Sequence, residues 1–260
     1  MHPRINIPPA PALKRVAIHQ PNLLPRLKVL QKLAAADLWV VLDNVQYCPR
    51  EWQNRARLVA LHGANQSFWL SIPVTRPQGR HTEIRDVGLV DAAAVPPLIG
   101  RTLIHTFRRS PHWNEVAAIL DDMGSALNTR TLSALAVDTT LTLLRSAGFQ
   151  PQVRHASSLN SSGHGSQLIA SICEEVQGDI YLADSGALDY LNVNHFSKSK
   201  VLWQTWQPPA SSAWPGIPSW RDISAINYLA REGLAATRAH LAAAPLVPTR
   251  PSLSADRDES

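Results

Sequence analysis

A strand–helix–strand pattern near the start of the chain constrains the fold most. Residues 16–19 (Val-Ala-Ile-His) read as a short apolar strand that ends before Gln20-Pro21. Residues 27–36 carry leucines at helical spacing, and residues 38–42 (Leu-Trp-Val-Val-Leu) are a continuous apolar run of strand length. Because parallel strands need a long crossover, usually a helix, these 27 residues predict a βαβ-like unit. We therefore expect an α/β fold with a mostly parallel sheet flanked by helices.

The rest of the chain extends this pattern. Helical spacing over about residues 92–148 predicts a helical middle segment, and a second α/β segment opens at Val153. It contains a predicted helix at 167–176 and a predicted strand at 179–183. We interpret the chain as a flexible arm (1–14), one composite α/β domain (15–244, with the helical insertion at about 92–148) and a disordered tail (245–260).

Composition excludes several classes of protein. Hydrophobic residues make up 45% of the chain and charged residues 17%, which is ordinary for a globular protein. No stretch approaches the roughly 18 apolar residues of a spanning helix, and the first residues lack the organisation of a signal peptide. Two cysteines cannot form a disulfide framework. These features predict a cytoplasmic protein without a membrane span.

The net charge of +5 does not by itself identify a partner. The 25 basic residues are dispersed, and neither a basic run nor a helix-turn-helix, zinc-finger or RNP pattern is present, which disfavours nucleic acid. The histidines show no metal-ligand spacing, so we predict neither a metal nor a cofactor. A small-molecule or carrier-bound substrate is expected, and the oligomeric state stays open.

Polar residues follow three predicted strands, where open α/β sheets place their ligands. His19 is a candidate general base near neutral pH, and Asp43 a candidate to orient it. The turn Asp184-Ser185-Gly186 offers a hydroxyl and backbone N–H groups for an oxyanion. The catalytic candidates are thus His19, Asp43 and Ser185, while a core histidine and simple turn residues are the structural alternatives.

Neighbouring residues are candidates for substrate binding. Trp52 offers a flat ring face, and the others offer neutral or cationic hydrogen-bonding groups: Gln20, Asn22, Gln46, Asn54, Arg55 and Gly186. Cys48 is a possible nucleophile, since Arg50 and Arg55 nearby would favour a thiolate. An inert loop cysteine is the alternative.

The opening motif and the motifs downstream of it together resemble the WbqC-like family. The resemblance covers about residues 16–233 and rests on Ile18-His-Gln-Pro-Asn22, Leu42-Asp-Asn-Val-Gln46, Trp52-Gln-Asn-Arg55 and Trp69-Leu-Ser-Ile-Pro-Val74. It implies a cytoplasmic protein of polysaccharide or natural-product biosynthesis, transferring an acyl or aminoacyl group to an amine such as that of an amino sugar. The site residues that it implies are His19, Gln20, Asn22, Asp43, Gln46, Asn54, Arg55, Ser185 and Gly186.

The chain departs from the family pattern in two places. Relatives often have Trp-Leu-Gly where this chain has Arg26-Leu27-Lys28, and many have Asp where it has Asn227. The leading hypothesis is a transferase in which His19 deprotonates an incoming amine. Two alternatives remain: a Cys48-dependent thioester hydrolase or cyclase, and a non-catalytic protein that binds a sugar or nucleotide.

Overall fold

The computed structural model describes residues 12–60, 66–126, 129–209 and 220–251. Its helices are α1 (Leu27–Ala34), α2 (Val95–Phe107), α3 (Trp113–Ala126), α4 (Leu132–Ser146), α5 (Ser166–Glu175) and α6 (Ala225–Ala242). Its strands are β1 (Arg15–His19), β2 (Leu38–Val41), β3 (Arg55–Val59), β4 (Ser67–Ser71), β5 (Val74–Thr75), β6 (Gly88–Leu89), β7 (Gln152–His155), β8 (Ile180–Ala183), β9 (Lys200–Gln204) and β10 (Leu246–Val247).

A six-stranded sheet organises the molecule, in the order β10-β9-β8-β1-β2-β7. The pairs β9–β8, β8–β1, β1–β2 and β2–β7 are parallel, and β10 pairs with β9 antiparallel. The predicted α/β class with a mostly parallel sheet is therefore confirmed. The other four strands form two small antiparallel sheets, β3–β4 and β5–β6.

The βαβ unit forms because its apolar residues are buried on both faces of the sheet. Trp39 and Val41 pack in the cluster that contains the leucines of α1, whereas Val40 packs in the cluster that contains α5. Helices on both faces explain why β2 is a continuous apolar run rather than an alternating one. The predicted unit is confirmed, with β1 and β2 parallel and α1 between them.

The helical middle segment consists of α2, α3 and α4. Phe107, Ile119 and Leu143 extend one apolar cluster from these helices to α1 and α6. The middle segment thus thickens the layer on one face of the sheet.

The two segments that the sequence places outside the domain each have residues that are bonded to the domain or to its sheet. The backbone N–H of Lys14 donates to the Asp179 carboxylate at 2.8 Å, which holds the last residue of the predicted arm. Leu246 and Val247 pair with Gln204 and Trp203, although the sequence predicts a disordered tail from residue 245. The paired backbone of β9 explains this difference, because its free edge offers hydrogen bonds to a returning segment. Residues 1–11 and 252–260 lie outside the described residues.

Within the described ranges, the helices are too short or too polar to cross a bilayer. The parallel strands β1, β2, β7 and β8 all end at one edge of the sheet, which we call the carboxyl edge. The candidate site lies there.

Candidate functional site

A cavity of about 290 Å³ opens at the carboxyl edge, where the neighbouring strands β1 and β8 end. We call it the His19 cavity. The start of α1, the loop before β3 and the turn after β8 close around it. Its polar lining includes His19, Gln20, Asn22, Arg26, Lys32, Glu51, Trp52, Gln53, Tyr181, Asp184, Gly186 and Tyr190.

His19 ends β1, and its side chain is one-fifth exposed, at the cavity wall. Burial and the nearby charge of Lys32 lower its pKa to about 3. Its Nδ1 lies 3.9 Å from Oδ2 of Asp184, while its buried Nε2 has no hydrogen-bond partner. At neutral pH this imidazole is uncharged, with one nitrogen available to a ligand.

Asp184 follows β8 and forms a buried ion pair with Lys32 of α1. The Lys32 ammonium donates to the carboxylate at 2.9 Å and lies 3.3 Å from the carbonyl oxygen of Ile18. Burial alone would raise the pKa of Asp184, but the charge and hydrogen bond of Lys32 hold it far below its usual range. The carboxylate beside His19 is therefore ionised and already paired with a cation.

A second wall of the cavity is built on Trp52. The guanidinium of Arg26 lies 4.3 Å from the Trp52 ring centroid, and Arg26 Nη1 lies 3.7 Å from the Asp222 carboxylate. Gln53 Nε2 donates to Gln20 Oε1 at 2.7 Å. These contacts position Arg26 and both glutamines at the cavity.

Four buried polar atoms in the lining lack a hydrogen-bond partner: His19 Nε2, Asn22 Oδ1, Arg26 Nε and Gln53 Oε1. Buried polar groups are normally paired, because an unpaired one costs about 1–3 kcal/mol. Four in the lining of one cavity are unused hydrogen-bonding groups that a water or a ligand group would satisfy.

Asp43 lies in a different cluster from the one predicted. Its carboxylate bonds to Nδ1 of His155 at 2.8 Å and accepts from the Ser157 N–H and hydroxyl at 2.9 and 3.0 Å. The prediction that Asp43 orients His19 is thus not what the geometry shows, because β7 and the turn after it supply nearer donors. Asp184, across the sheet, faces His19 instead. We call His155, Asp43 and Ser157 the His155 cluster.

The Ser185-Gly186 turn is occupied by local contacts. Gly186 N–H donates to Oδ1 of Asp184 at 2.8 Å, and Arg221 donates to the Ser185 hydroxyl at 2.9 Å. Gly186 lines the cavity, and Ser185 is not in its lining. The turn therefore serves to shape the Asp184 loop.

The other predicted residues divide between the cavity and its surroundings. Gln20, Asn22 and Trp52 line the cavity, as described above. Outside its lining, Asn54 donates to the Ile72 carbonyl oxygen at 2.9 Å and Gln46 to that of Arg80 at 2.8 Å. Arg55 stacks on Trp69, 3.9 Å from its ring centroid, and Cys48 is exposed.

Sequence reasoning missed Arg26, Lys32, Gln53 and Asp184 as site residues. Asp184 has a signal like that of Asp43, since Asp184 follows the buried strand β8 directly and Asp43 follows β2 after one residue, Leu42. Lys28 and Lys32 are two of only five lysines and are spaced to share one side of α1. No sequence signal showed that Lys32 would be buried, because a lysine on an amphipathic helix normally faces water.

Comparisons with known proteins agree with the motifs. The chain is 23% identical over 197 residues to the uncharacterized protein Rv1507c of Mycobacterium tuberculosis (strain ATCC 25618 / H37Rv), covering 73% of this chain and 80% of that protein. No solved structure matches the chain. The model of the WbqC-like protein family matches residues 20–237, which include most of the cavity lining. The chain belongs to the WbqC-like protein family.

Proposed function

We propose that this protein is a biosynthetic transferase that moves an acyl or aminoacyl group from an activated donor to an amine. The observation that carries the proposal is the His19 cavity itself, whose lining includes an uncharged imidazole with a buried, unpartnered Nε2. Its volume of about 290 Å³ is near the lower end of typical ligand pockets, roughly 300–1,000 Å³.

His19 acts as the general base. The amine nitrogen attacks the carbonyl carbon of the donor, for example a thioester, and a C–N bond forms as the C–S bond breaks. Nε2 of His19 takes the amine proton and passes it to the leaving thiolate, so protons and charges balance.

Asp184 takes the role that the sequence assigns to Asp43. Its carboxylate, 3.9 Å from His19 Nδ1, stabilises the imidazolium that forms when Nε2 is protonated. Lys32 supplies positive potential inside the cavity, where low dielectric strengthens its effect on a developing oxyanion. The resting pKa of about 3 keeps His19 ready to accept a proton but weakly basic. A substrate that brings negative charge would raise this pKa.

The test is turnover with defined probes. Acyl and aminoacyl thioesters of coenzyme A are offered with glucosamine and other small amines, and thiol release and amide formation are measured. We expect His19→Ala to reduce turnover by roughly 10²–10⁴-fold, the usual contribution of a general base. His195→Ala, at an exposed histidine, is the matched control and should retain activity. Equal turnover in both variants would reject the role of His19.

The two alternatives predict different results in the same experiment. Cys48 is exposed and outside the cavity lining, so Cys48→Ser should keep full activity. An acyl adduct on Cys48 by mass spectrometry, with loss of activity in the variant, would favour the thiol enzyme. A binding protein also fits the four unpartnered polar atoms. Ligand-induced melting shifts without turnover in any pair would favour that function.

A further inference from the structure

The first turn of α1 carries charges of the sign that a helix start disfavours. Arg26 is at the N-cap position and Lys28 is in the first turn, and this turn contains no acidic residue. The N-terminus of a helix has a partial positive charge, which favours anions and disfavours cations by about 0.3–1 kcal/mol each. The two cations therefore do not stabilise the start of α1, and we look for a ligand that would explain them.

The charges of Asp222, Asp184 and Glu51 act on Arg26, and those of Asp184 and Asp222 act on Lys28; of these carboxylates, that of Asp222 lies within ion-pair distance of Arg26. Lys28 is partly buried, and burial together with the charge of Arg26 lowers its pKa to about 8. Within the described part of the chain, the Lys28 ammonium has no hydrogen bond or ion pair. Arg26 contacts Asp222 through Nη1, yet its buried Nε lacks a partner at the cavity.

Arg26 is also held in place. Its guanidinium stacks on Trp52, and Trp52 in turn contacts Trp69 with ring centroids 4.9 Å apart. A preorganised guanidinium loses less entropy on binding and presents a planar pair of donors that matches phosphate. The contact with Trp52 thus holds in place the Arg26 guanidinium, whose Nε has no hydrogen-bond partner.

We propose that the His19 cavity binds a phosphorylated amine, with the phosphate at Arg26 and the amine at His19. Lys28 is outside the cavity lining, and its charge, which acts on Arg26, favours the phosphate from there. The inference rests on the proposed function for the assignment of the amine. A cavity of about 290 Å³ accommodates a phosphorylated ligand of monosaccharide size. A phosphate, at about −1.5 to −2 charges near pH 7, also compensates the start of α1.

The remaining unpartnered atoms indicate which groups the rest of the ligand must carry. Asn22 Oδ1 and Gln53 Oε1 are acceptors, so the ligand must present donors such as hydroxyl or amino groups. Arg26 Nε needs an acceptor, which a phosphate oxygen supplies. A phosphorylated amino sugar has all these groups.

The bound phosphate also makes His19 a better base. The charges of Lys32, Arg26 and Lys28 all lower the pKa of His19, after burial. A dianion beside the last two offsets their effect and raises this pKa toward its ordinary value. Only the correctly charged substrate would then activate the base.

Isothermal titration calorimetry with glucosamine 6-phosphate, glucosamine and glucose 6-phosphate tests the proposal without requiring turnover. The two phosphorylated sugars should bind the wild-type protein, and glucosamine should bind at least about tenfold more weakly than glucosamine 6-phosphate. Arg26→Gln and Lys28→Gln should each weaken glucosamine 6-phosphate binding by about tenfold or more. Arg26→Lys keeps the positive charge and serves as the conservative variant. Circular dichroism of each variant shows whether a loss of glucosamine 6-phosphate binding is only a folding defect.

Arg154→Gln and Lys200→Gln are the matched controls, since both side chains are exposed and far from the cavity lining. They should bind glucosamine 6-phosphate like the wild type. Equal affinity for glucosamine and glucosamine 6-phosphate, undiminished binding in Arg26→Gln and Lys28→Gln, or no binding of either phosphorylated sugar would overturn the proposal. If one of these results is found and an unphosphorylated amine is turned over, the phosphate site is rejected and the transferase is kept. Tight phosphate-dependent binding without turnover would reject the transferase and keep the site.

Discussion

Two histidines at the carboxyl edge have similar neighbours and opposite pKa shifts. His19 and His155 are both in register with Val41, on either side of β2. Each has an aspartate facing Nδ1, Asp184 at 3.9 Å and Asp43 at 2.8 Å. The pKa of His19 is lowered to about 3, whereas the hydrogen bond that the His155 ring donates to the Asp43 carboxylate raises the pKa of His155.

The difference lies first in the burial of His19 and then in the other partners of each aspartate. Asp184 raises the pKa of His19, but burial and the charge of Lys32, which is paired with Asp184, lower it more. In the described part of the chain Asp43 has hydroxyl and N–H donors from Ser157 and no cation paired with it other than His155, which is 41% exposed. A carboxylate near a histidine thus does not decide its protonation state. Burial and the partner of that carboxylate decide it. His19 lines a cavity and has an unpartnered nitrogen, whereas His155 is outside the lining of that cavity.

Removing the Asp184 carboxylate should have the largest effect. Asp184→Asn leaves the Lys32 ammonium buried without its counter-charge, and we expect a loss of about 3–5 kcal/mol in the free energy of unfolding. Urea denaturation measures it. Asp37→Asn, which breaks the exposed pair with Arg15, is the control and should cost no more than about 1 kcal/mol. Similar losses in both variants would mean that the Lys32 pair is energetically like a surface pair.

The lowered pKa of His19 should appear as a pH dependence of stability. Because the folded pKa of about 3 is below the unfolded value near 6.5, the unfolded chain binds the proton first as pH falls. The free energy of unfolding should therefore fall by up to about 1.4 kcal/mol per pH unit below about pH 6. His19→Gln removes this contribution, so urea unfolding of both proteins at about pH 6 and 4.5 isolates it. A difference that does not change with pH would show that His19 is solvated.

The His155 cluster should show a smaller effect of opposite sign. Asp43→Asn should lower the pKa of His155 toward its ordinary value, measured by NMR titration of the ring protons. The ion pair stabilises the fold fully below about pH 6.5 and is lost as pH rises through the raised folded pKa. For this half-exposed histidine the contribution should be less than about 1 kcal/mol. An unchanged titration in Asp43→Asn would assign the shift to another group.

Turnover should distinguish the two histidines, and the change caused by substituting His155 should be the smallest of these effects. His155→Ala should reduce turnover by less than about tenfold, well short of the loss in His19→Ala, because His155 is outside the lining of the His19 cavity. The comparison of initial rates uses whichever donor and amine the wild type turns over. A loss equal to that in His19→Ala would place the proton transfer at the Asp43–His155 pair.

Local patterns explain what could be predicted of the fold. The apolar run of β2 and the leucine spacing of α1 identify a buried βαβ unit, since both patterns reflect burial along the chain. Strand order does not follow from such patterns. β8 lies beside β1 although about 160 residues separate them, because long-range packing of helices decides which strands are neighbours.

The same limit applies to the site. His19, Asp43 and Asp184 were recognisable as polar residues that follow buried strands, but their pairing was not. A lysine on an amphipathic helix normally faces water, but the packing of α1 buries Lys32 beside Asp184 and the Tyr181 ring.

By itself the sequence determined the fold class, the family and the three strand ends that carry polar residues. Periodicity and motifs depend on neighbours along the chain, so these features need no knowledge of the tertiary structure. Only the tertiary structure decided that Asp184, not Asp43, faces His19 and that Lys32 neutralises it. Electrostatic interactions depend on distance and burial, and both are set by the order in which the strands pack.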